Sequence, residues 1–381
     1  MSMTAAETSP LFALLARQWR LDAPVQACAF AQDGGSLAFA LGDGTLAMVS
    51  MDDPEAAATR WRMSIEDGRS TISRRTRPVR PPVRITAGEG PLRLAAFGPS
   101  GFLVGDARGR LVRVDADGPT LPVAEHGQTV VEAIVTLPAG VGKHAALVAT
   151  GGRVTRHEAD GTAARDMARY DGVARAAALS PDGQMVALGF EARLSIAEAS
   201  NAAAGPFEIA SGPVEALMWA PDGRLLAVGL LDGGVVLIRR ADRRVLRLPN
   251  YPAPVRTLDW SADSRWLVTS GAFRTIVWAV GDGDEQPVTI ETGRSGFVAV
   301  EVARLHPHLP LVAAGYENGM VVVTAVGQRD ELVLRDPAPG GVRDLSWSAD
   351  GEHLAFHAAQ GWAGVIDVPT HMFKQIARRT A

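Results

Sequence analysis

Cysteine is almost absent from this sequence of 381 residues, in which Cys28 stands alone. A single thiol cannot form an internal disulfide, and it cannot build a metal cluster that depends on several thiolates. We therefore expect Cys28 to be a small core residue in a reducing compartment, and we expect a cytoplasmic protein.

Long apolar runs are also lacking. No stretch approaches the ~20 apolar residues that a membrane helix needs. The short apolar segment at residues 11–16 has no basic segment ahead of it, so the sequence predicts no signal peptide. With 47% hydrophobic and 21% charged residues, the composition is typical of a soluble globular protein, and no membrane partner is expected.

Lysine is scarce, since only Lys143 and Lys374 occur among 38 basic residues. The preference for arginine, together with abundant alanine, is typical of a GC-rich bacterial coding sequence rather than of a particular function. The net charge of −4 does not attract nucleic acid or anionic membranes to the protein as a whole. Residues 60–84 are a local exception, with eight arginines against Glu66 and Asp67.

What the sequence does contain is a repeated phrase of three apolar strands separated by turns. It reads VEALMWAPDGRLLAVGLLDGGVVLIRRA from Val214, with close relatives from Val255 and Val342. Weaker copies begin at Val25, Leu92, Val131, Ala174 and Val300. The residues that precede the first turn of each copy are Ala31, Gly98, Leu137, Ser180, Ala220, Ser261, His306 and Ser348. Apart from the first interval of 67 residues, their spacings of 39 to 45 residues match one four-stranded propeller blade.

The residues inside each copy fit this interpretation. Asp-Gly pairs at 33–34, 182–183, 222–223 and 350–351 supply tight turns between antiparallel strands. The flanking strands are apolar nearly throughout, as expected for inner strands that pack on both faces. Short fourth strands are predicted at 83–86, 244–248 and 331–335. A single such blade could not bury its faces, whereas eight blades in a ring can.

The phrases V-x-x-L-x-W-S-P-D-G-x-x-L-A and D-G-x-V-x-L resemble the WD40 repeat family over residues 17–376. The resemblance implies an all-β fold, a single WD40-like β-propeller, that works as a binding platform. The family's Trp-Asp pair is reduced to Val114-Asp115 and Ile366-Asp367, and only Trp278 keeps the tryptophan. Its Gly-His pair remains only as the reversed His126-Gly127. Apolar packing must therefore replace the family's His–Asp–Trp hydrogen bonds, and no particular subfamily is implied.

The domain layout follows from the repeat. Residues 1–16 are predicted to be an N-terminal extension with a short helix opened by Ser9-Pro10, and 377–381 a C-terminal tail. The propeller at 17–376 is predicted to have eight blades, with seven as the alternative. The long first interval is explained by an Arg- and Pro-rich insertion at about 52–82, predicted to be a long loop on blade 1, partly extended or disordered.

Two segments compete for the outermost strand of the last blade, residues 19–21 and residues 372–376. The C-terminal segment is longer, alternates better between apolar and polar residues, and directly follows the preceding strand. We therefore predict that residues 372–376 close the ring.

Motifs of catalysis are lacking, because no HExxH, GxSxG, GxGxxG or CxxC occurs. Residues 140–144 have the wrong glycine spacing for a phosphate loop, and His144 replaces its Ser or Thr. His306 and His308 lie in a turn, and His353 and His357 are too far apart along a strand to chelate a metal directly. The sequence predicts no enzyme, no cofactor and no metal site.

A set of mostly charged residues occupies an equivalent position in every repeat, the second residue of each predicted innermost strand. Its members are Gln26, Arg93, Glu132, Arg175, Glu215, Arg256, Glu301 and Arg343. Apart from Gln26, the charges alternate around the ring, so neighbouring blades would place Arg beside Glu at one mouth of the central channel. One interpretation is a set of ion pairs that keeps the blades in order. The other is a polar rim that engages a peptide.

We therefore expect a non-catalytic scaffold that binds an unidentified protein or peptide through one propeller face. One alternative is a propeller enzyme with a metal at the channel mouth, which the arginines there oppose. Another is binding of an acidic partner or nucleic acid through the insertion, by Arg74, Arg75, Arg77 and Arg80. Nucleic acid is the weaker form of this hypothesis, because Trp61 is the one aromatic residue among these arginines. The oligomeric state is left open.

Overall fold

The computed structural model describes residues 10–63, 70–116, 120–136, 145–158, 164–199, 206–248, 251–281 and 286–368. Within these ranges the chain forms eight four-stranded antiparallel sheets and one small hairpin. The first strand of each sheet contacts those of its two neighbours, and the contact between the first and the last sheet closes a ring. The prediction of an eight-bladed β-propeller is confirmed. No helix in the described ranges is long and apolar enough to cross a membrane.

Two elements precede blade 1, helix α1 (Pro10–Leu15) and strand β1 (Ala16–Arg20). The first three strands of blade 1 are β2 (Val25–Phe30), β3 (Ser36–Leu41) and β4 (Thr45–Ser50). Before the fourth strand the chain forms α2 (Ala57–Arg60) and a hairpin of β5 (Trp61–Met63) and β6 (Ser70–Ile72). Strand β7 (Val83–Thr86) completes the blade.

Blades 2 to 4 follow with strands in sequential order. Blade 2 consists of β8 (Arg93–Phe97), β9 (Gly101–Gly105), β10 (Arg110–Asp115) and β11 (Thr120–Glu125). Blade 3 consists of β12 (Val131–Thr136), β13 (Ala145–Thr150), β14 (Arg153–Glu158) and β15 (Arg165–Arg169). Blade 4 consists of β16 (Ala176–Leu179), β17 (Met185–Gly189), β18 (Arg193–Glu198) and β19 (Phe207–Ala210).

Blades 5 to 7 repeat this order. Blade 5 consists of β20 (Val214–Trp219), β21 (Leu225–Leu230), β22 (Val235–Arg239) and β23 (Val245–Leu248). Blade 6 consists of β24 (Leu258–Trp260), β25 (Trp266–Thr269), β26 (Ile276–Ala279) and β27 (Val288–Glu291). Blade 7 consists of β28 (Val300–Leu305), β29 (Leu311–Tyr316), β30 (Val321–Ala325) and β31 (Glu331–Arg335).

Blade 8 draws its strands from both ends of the described chain. It contains β32 (Val342–Trp347), β33 (His353–Ala358), a short 3₁₀ turn (Ala359–Gly361) and β34 (Trp362–Asp367). Its fourth strand is β1, which pairs with β34 from Ala16 opposite Ile366 to Arg20 opposite Trp362. The prediction that residues 372–376 close the ring was therefore wrong, and that segment itself lies outside the described residues.

β1 closes the ring because the helix before it and a side chain within it are both anchored to the propeller. The preceding helix buries Phe12 and Leu15 in a core cluster that also contains Phe356. Within β1, Arg17 is 6% exposed and donates a hydrogen bond of 2.9 Å to the carbonyl oxygen of Ser50 in blade 1. The prediction relied on the alternation of apolar and polar residues, and that pattern does not reveal such long-range contacts.

The Asp-Gly turns form as their residue types require. Gly34, Gly183, Gly223 and Gly351 all adopt positive φ angles of 71° to 74°, a region that favours glycine. The preceding aspartate accepts a hydrogen bond from the amide two residues further on, as Asp182 does from Gln184. These turns place the almost fully buried second strand of each blade next to the first, so that the core lies between adjacent blades.

Candidate functional site

The strand register defines two faces of the propeller. In blade 5 the start of β20 lies opposite the end of β21, and the start of β22 lies opposite the end of β23. The loops that enter each blade and the loops between its second and third strands therefore share one face, which we name the upper face. The eight predicted mouth residues lie at the beginning of the innermost strands or just before them, and therefore at the upper mouth of the central channel.

A local irregularity marks this position in five blades. The pairing register of the innermost strand shifts as it passes Gln26, Glu132, Glu215, Glu301 and Arg343. Such bulges leave one residue out of the ladder and redirect its side chain. The repeat therefore presents these side chains at the mouth rather than within the sheet.

Five of the eight predicted mouth residues form a continuous chain of ion pairs, which we name the charged arc. It crosses four blade boundaries, from blade 4 to blade 8. The pairs are Arg175–Glu215 at 2.9 Å, Glu215–Arg256 at 3.9 Å, Arg256–Glu301 at 3.4 Å and Glu301–Arg343 at 3.4 Å. Each acid of the arc thus lies between two arginines of neighbouring blades.

The expected ion pairing does not extend around the whole ring. Glu132 is 6% exposed and accepts hydrogen bonds from the hydroxyl of Tyr170 at 2.8 Å and the amide of Ala174 at 2.6 Å. Arg93 donates to the backbone carbonyl of Glu132 at 2.8 Å rather than to its carboxylate. The side chain of Gln26 makes no hydrogen bond within the described part of the chain. Burial and the Glu132 carboxylate raise the pKa of Tyr170, which keeps this hydroxyl a donor.

The arginines of the arc lie further out than the acids. The side chain of Glu301 is 18% exposed, whereas those of Arg256 and Arg343 are 42% and 54% exposed. A ligand that approaches the mouth therefore meets guanidinium groups whose counterions lie beneath them. Guanidinium groups bind carboxylates through charge-assisted, often bidentate, hydrogen bonds.

Exposed aromatic side chains lie on the same face and were missed from the sequence. Phe273 follows the second strand of blade 6 and Phe297 lies in the loop that enters blade 7. They are 45% and 100% exposed. The amide of Gly296 donates to the carbonyl oxygen of Phe273 at 3.0 Å, which joins the two loops. Single phenylalanines in polar stretches carry no sequence signal of exposure.

The channel beneath the mouth has a volume of about 840 Å³, and its lining includes the polar side chains of Asp259 and Arg304. Arg304 donates to the carboxylate of Asp344 at 2.8 Å, and Asp259 accepts from the amide of Leu305 at 2.7 Å. Burial raises the pKa of Asp259 to about 6, although the Arg304 guanidinium acts in the opposite direction. Arg304 and Asp344 thus pair with each other, and Asp259 binds the backbone of blade 7, so these groups tie the innermost strands together.

The arginines of the insertion lie apart from the charged arc. Residues 52–82 connect the third and fourth strands of blade 1 and so leave from the lower face. Arg75 forms an ion pair with Asp53 and is largely buried. Arg74, Arg77 and Arg80 are exposed. The insertion thus belongs to the outer strands of blade 1, whereas the charged arc lies at the mouth of the central channel.

Arg60 and an acid of the last blade fasten the insertion to the propeller. Arg60 is 5% exposed and donates hydrogen bonds to the carbonyl oxygens of Glu55, Ser73 and Leu14. The amide of Ala57 donates to the carboxylate of Asp367 at 2.7 Å. Part of the arginine-rich composition of this segment therefore has a structural role.

Among the described residues, groups with metal-ligand chemistry lie together at the His306–His308 turn and at the junction of blades 1 and 8. His306 and His308 stabilise a turn, since Nδ1 of His306 accepts from the amides of His308 and Leu309 at 3.0 Å. Cys28, Asp344 and His357 bring ligand atoms within 4.8 Å of one another between blades 1 and 8. Sequence reasoning missed this cluster, because 316 residues separate Cys28 from Asp344 and no local spacing relates them.

Comparison with known proteins agrees with the propeller geometry. Residues 178–263 match the WD40 domain of anaphase-promoting complex subunit 4. A ciliary WD repeat-containing protein, ctxp80 of Euplotoides octocarinatus, is 26% identical over 171 residues, which cover 41% of this chain and 24% of that protein. The chain thus matches about a quarter of the length of this curated relative.

Solved structures with similar folds include two with the same TM-score. A chain of the mitotic checkpoint complex has a TM-score of 0.55 at 17% identity, covering 70% of this chain and 87% of that one. The β-propeller domain of Cps50 (Swd1) from Myceliophteria thermophila has a TM-score of 0.55 at 13% identity, covering 93% and 100%. Eight repeated blades, the repeat phrase and these matches show that the chain is a β-propeller similar to WD40-repeat proteins.

Proposed function

We propose that this propeller is a non-catalytic scaffold whose upper face binds an acidic protein segment that also carries an apolar side chain. WD40 propellers are generally protein-binding scaffolds without enzymatic activity. In this protein the bound segment contacts the upper face between blades 6 and 8.

The observation that carries the proposal is that two exposed aromatic rings and exposed arginines lie on the same face of the propeller. Phe273 and Phe297 flank the boundary of blades 6 and 7, where Arg256 pairs with Glu301 at the mouth. Arg343 follows on blade 8 with more than half of its side chain exposed. Aromatic and arginine side chains dominate the binding energy of protein interfaces, in which each acts as an anchor.

Charge favours an acidic segment over a basic one. The carboxylates of the arc are already engaged with arginines and lie deeper than the guanidinium groups. A carboxylate of the partner can bind the outer side of Arg256 or Arg343, whereas a basic partner would have to displace them. Neutralisation by a ligand also reduces repulsion among neighbouring arginines.

The experiment is a selection from a random peptide library displayed on phage, with the full chain immobilised. We expect the selected peptides to be rich in Asp or Glu and to contain a large apolar residue. Phe297→Ser and Arg343→Ala should each weaken the binding of a selected peptide at least tenfold, about 1.4 kcal/mol.

Matched controls lie on the lower face. Val288 is 66% exposed and begins the fourth strand of blade 6, and the Arg265 side chain is 73% exposed just before its second strand. Val288→Ser and Arg265→Ala should leave binding unchanged. Peptides without acidic residues, equal losses in the lower-face variants, or a library without binders would each contradict the proposal.

A further inference from the structure

Three side chains with metal-ligand chemistry meet where the last blade joins the first. Cys28 lies on β2, Asp344 on β32 and His357 on β33, directly opposite Asp344 in the register. Their ligand atoms all lie within 4.8 Å of one another. Small rotations of the side chains can bring a thiolate, a carboxylate oxygen and an imidazole nitrogen around one ion.

His357 supplies an independent observation at this place. It is 2% exposed, and neither ring nitrogen has a hydrogen-bond partner among the described residues. Buried polar atoms are nearly always partnered, so that each exception needs a physical explanation. Burial lowers the pKa of His357, so the ring is neutral and holds a lone pair that can bind a metal ion.

Asp344 is oriented by its neighbours in the way that metal-binding carboxylates often are. Its Oδ1 accepts hydrogen bonds from Arg304 at 2.8 Å and from the amide of Leu345 at 2.9 Å. No hydrogen bond to its Oδ2 occurs among the described residues. One oxygen is thus held in place while the other remains available, the arrangement that outer-shell partners give to a ligand.

The third ligand decides which metal fits. Cys28 is 8% exposed, and burial raises the pKa of its thiol, so that the thiolate needs a nearby cation. A divalent ion balances one thiolate and one carboxylate, and Arg304 is paired with Asp344 beside it. A combination of sulfur, imidazole nitrogen and carboxylate oxygen suits zinc rather than magnesium or calcium.

We propose that Cys28, Asp344 and His357 bind a zinc ion that fastens blade 8 to blade 1. This boundary differs from the four boundaries that the charged arc crosses. Arg343 of blade 8 pairs with Glu301 of blade 7, and the side chain of Gln26 in blade 1 has no hydrogen-bond partner in the described ranges. The zinc ion supplies a link at the place where the ring closes without an ion pair at its mouth.

The experiment uses the full chain, purified without a metal-binding tag. Zinc per chain is measured by mass spectrometry, and the protein stripped by a chelator is then reloaded with zinc or cobalt(II). We expect about one zinc per chain, a thiolate-to-cobalt charge-transfer band, and a higher Tm in the presence of zinc. Cys28→Ala and His357→Leu should weaken zinc binding at least tenfold in competition with a chelator.

His157 provides a matched control, because it is 3% exposed on blade 3 and bonds to Thr155 away from the cluster. His157→Leu should keep its zinc. The cobalt spectrum of the unmodified protein decides the question even if the cluster variants fail to fold. Absence of the charge-transfer band, or equal zinc binding in folded Cys28→Ala, would overturn the proposal.

Discussion

Gly189 and Val214 pack against each other across the boundary between blades 4 and 5. A Cβ atom at Gly189 would lie 2.2 Å from Cγ1 of Val214, a side chain that is fully buried. The first valine of an innermost strand meets a glycine of the preceding blade in the same way at two other boundaries, formed by Gly105 with Val131 and Gly315 with Val342. Glycine therefore lets adjacent blades approach closely near the channel.

Replacing Gly189 by alanine should lower the free energy of unfolding by about 1–3 kcal/mol, because the added methyl group overpacks a filled boundary. The double variant Gly189→Ala, Val214→Ala should recover part of this loss. Gly296→Ala is the control, since the nearest atoms to a Cβ there lie at 3.8 Å and 4.0 Å. Urea denaturation measures all three, and an unchanged Gly189→Ala variant would refute the close packing.

The distances within the charged arc predict that its ion pairs have different coupling free energies. Arg175 donates a hydrogen bond of 2.9 Å to Glu215, whereas Arg256 approaches Glu215 only to 3.9 Å. A double-mutant cycle should give about 0.2–1 kcal/mol for Arg175 with Glu215 and less for Arg256 with Glu215, since both pairs are partly exposed. Equal coupling energies, or full additivity at Arg175, would show that these distances do not persist in solution.

Because β1 closes the ring, we expect the stability of the protein to depend strongly on the N-terminal segment. Removing residues 1–20 exposes the edge of β34 and deletes Phe12 and Leu15 from the core, so we expect a loss of about 3 kcal/mol or more. Removing residues 1–9 should cost little, because that deletion ends before α1. Thermal denaturation of the two truncated chains compares them directly, and similar Tm values would exclude β1 as the closing strand.

Asp259 predicts a pH-dependent contribution to stability. Its folded-state pKa of about 6 lies above the ordinary value of 3.8, so the folded state binds the proton more tightly than the unfolded state. The stabilisation is fully present below the unfolded pKa, at about pH 4, and is lost as the pH rises through 6. For each pH unit between the two pKa values, the free energy of unfolding changes by about 1.4 kcal/mol through Asp259.

The variant Asp259→Asn removes this titration while keeping an oxygen that can accept from Leu305. As the pH rises from about 4 to about 7, the free energy of unfolding of the variant should therefore increase by about 2–3 kcal/mol relative to that of the unmodified protein. Chemical denaturation at both pH values measures the difference in the free energy of unfolding between the two proteins. Groups that titrate in the same way in both proteins do not contribute to this difference. A constant difference would mean that Asp259 titrates at its ordinary pKa.

Part of the candidate site could be predicted from the sequence and part could not. The alternating charges at the second position of each repeat predicted the pairs among Arg175, Glu215 and Arg256, because equivalent positions of adjacent blades must lie side by side. The same rule failed at Glu132, whose carboxylate binds Tyr170 instead. Which neighbour a buried carboxylate selects depends on side chains from other loops, and the repeat does not encode these.

The sequence by itself determined the number of blades, the turns and most of the strands. Those features depend on residues close together in the chain, such as the Asp-Gly pair at 182–183 and the apolar run that follows it. Tertiary structure decided which segment closes the ring, where Phe297 is exposed and that Cys28 meets Asp344 and His357. These outcomes depend on contacts between segments that are far apart in the chain, and no local pattern of residues encodes such contacts.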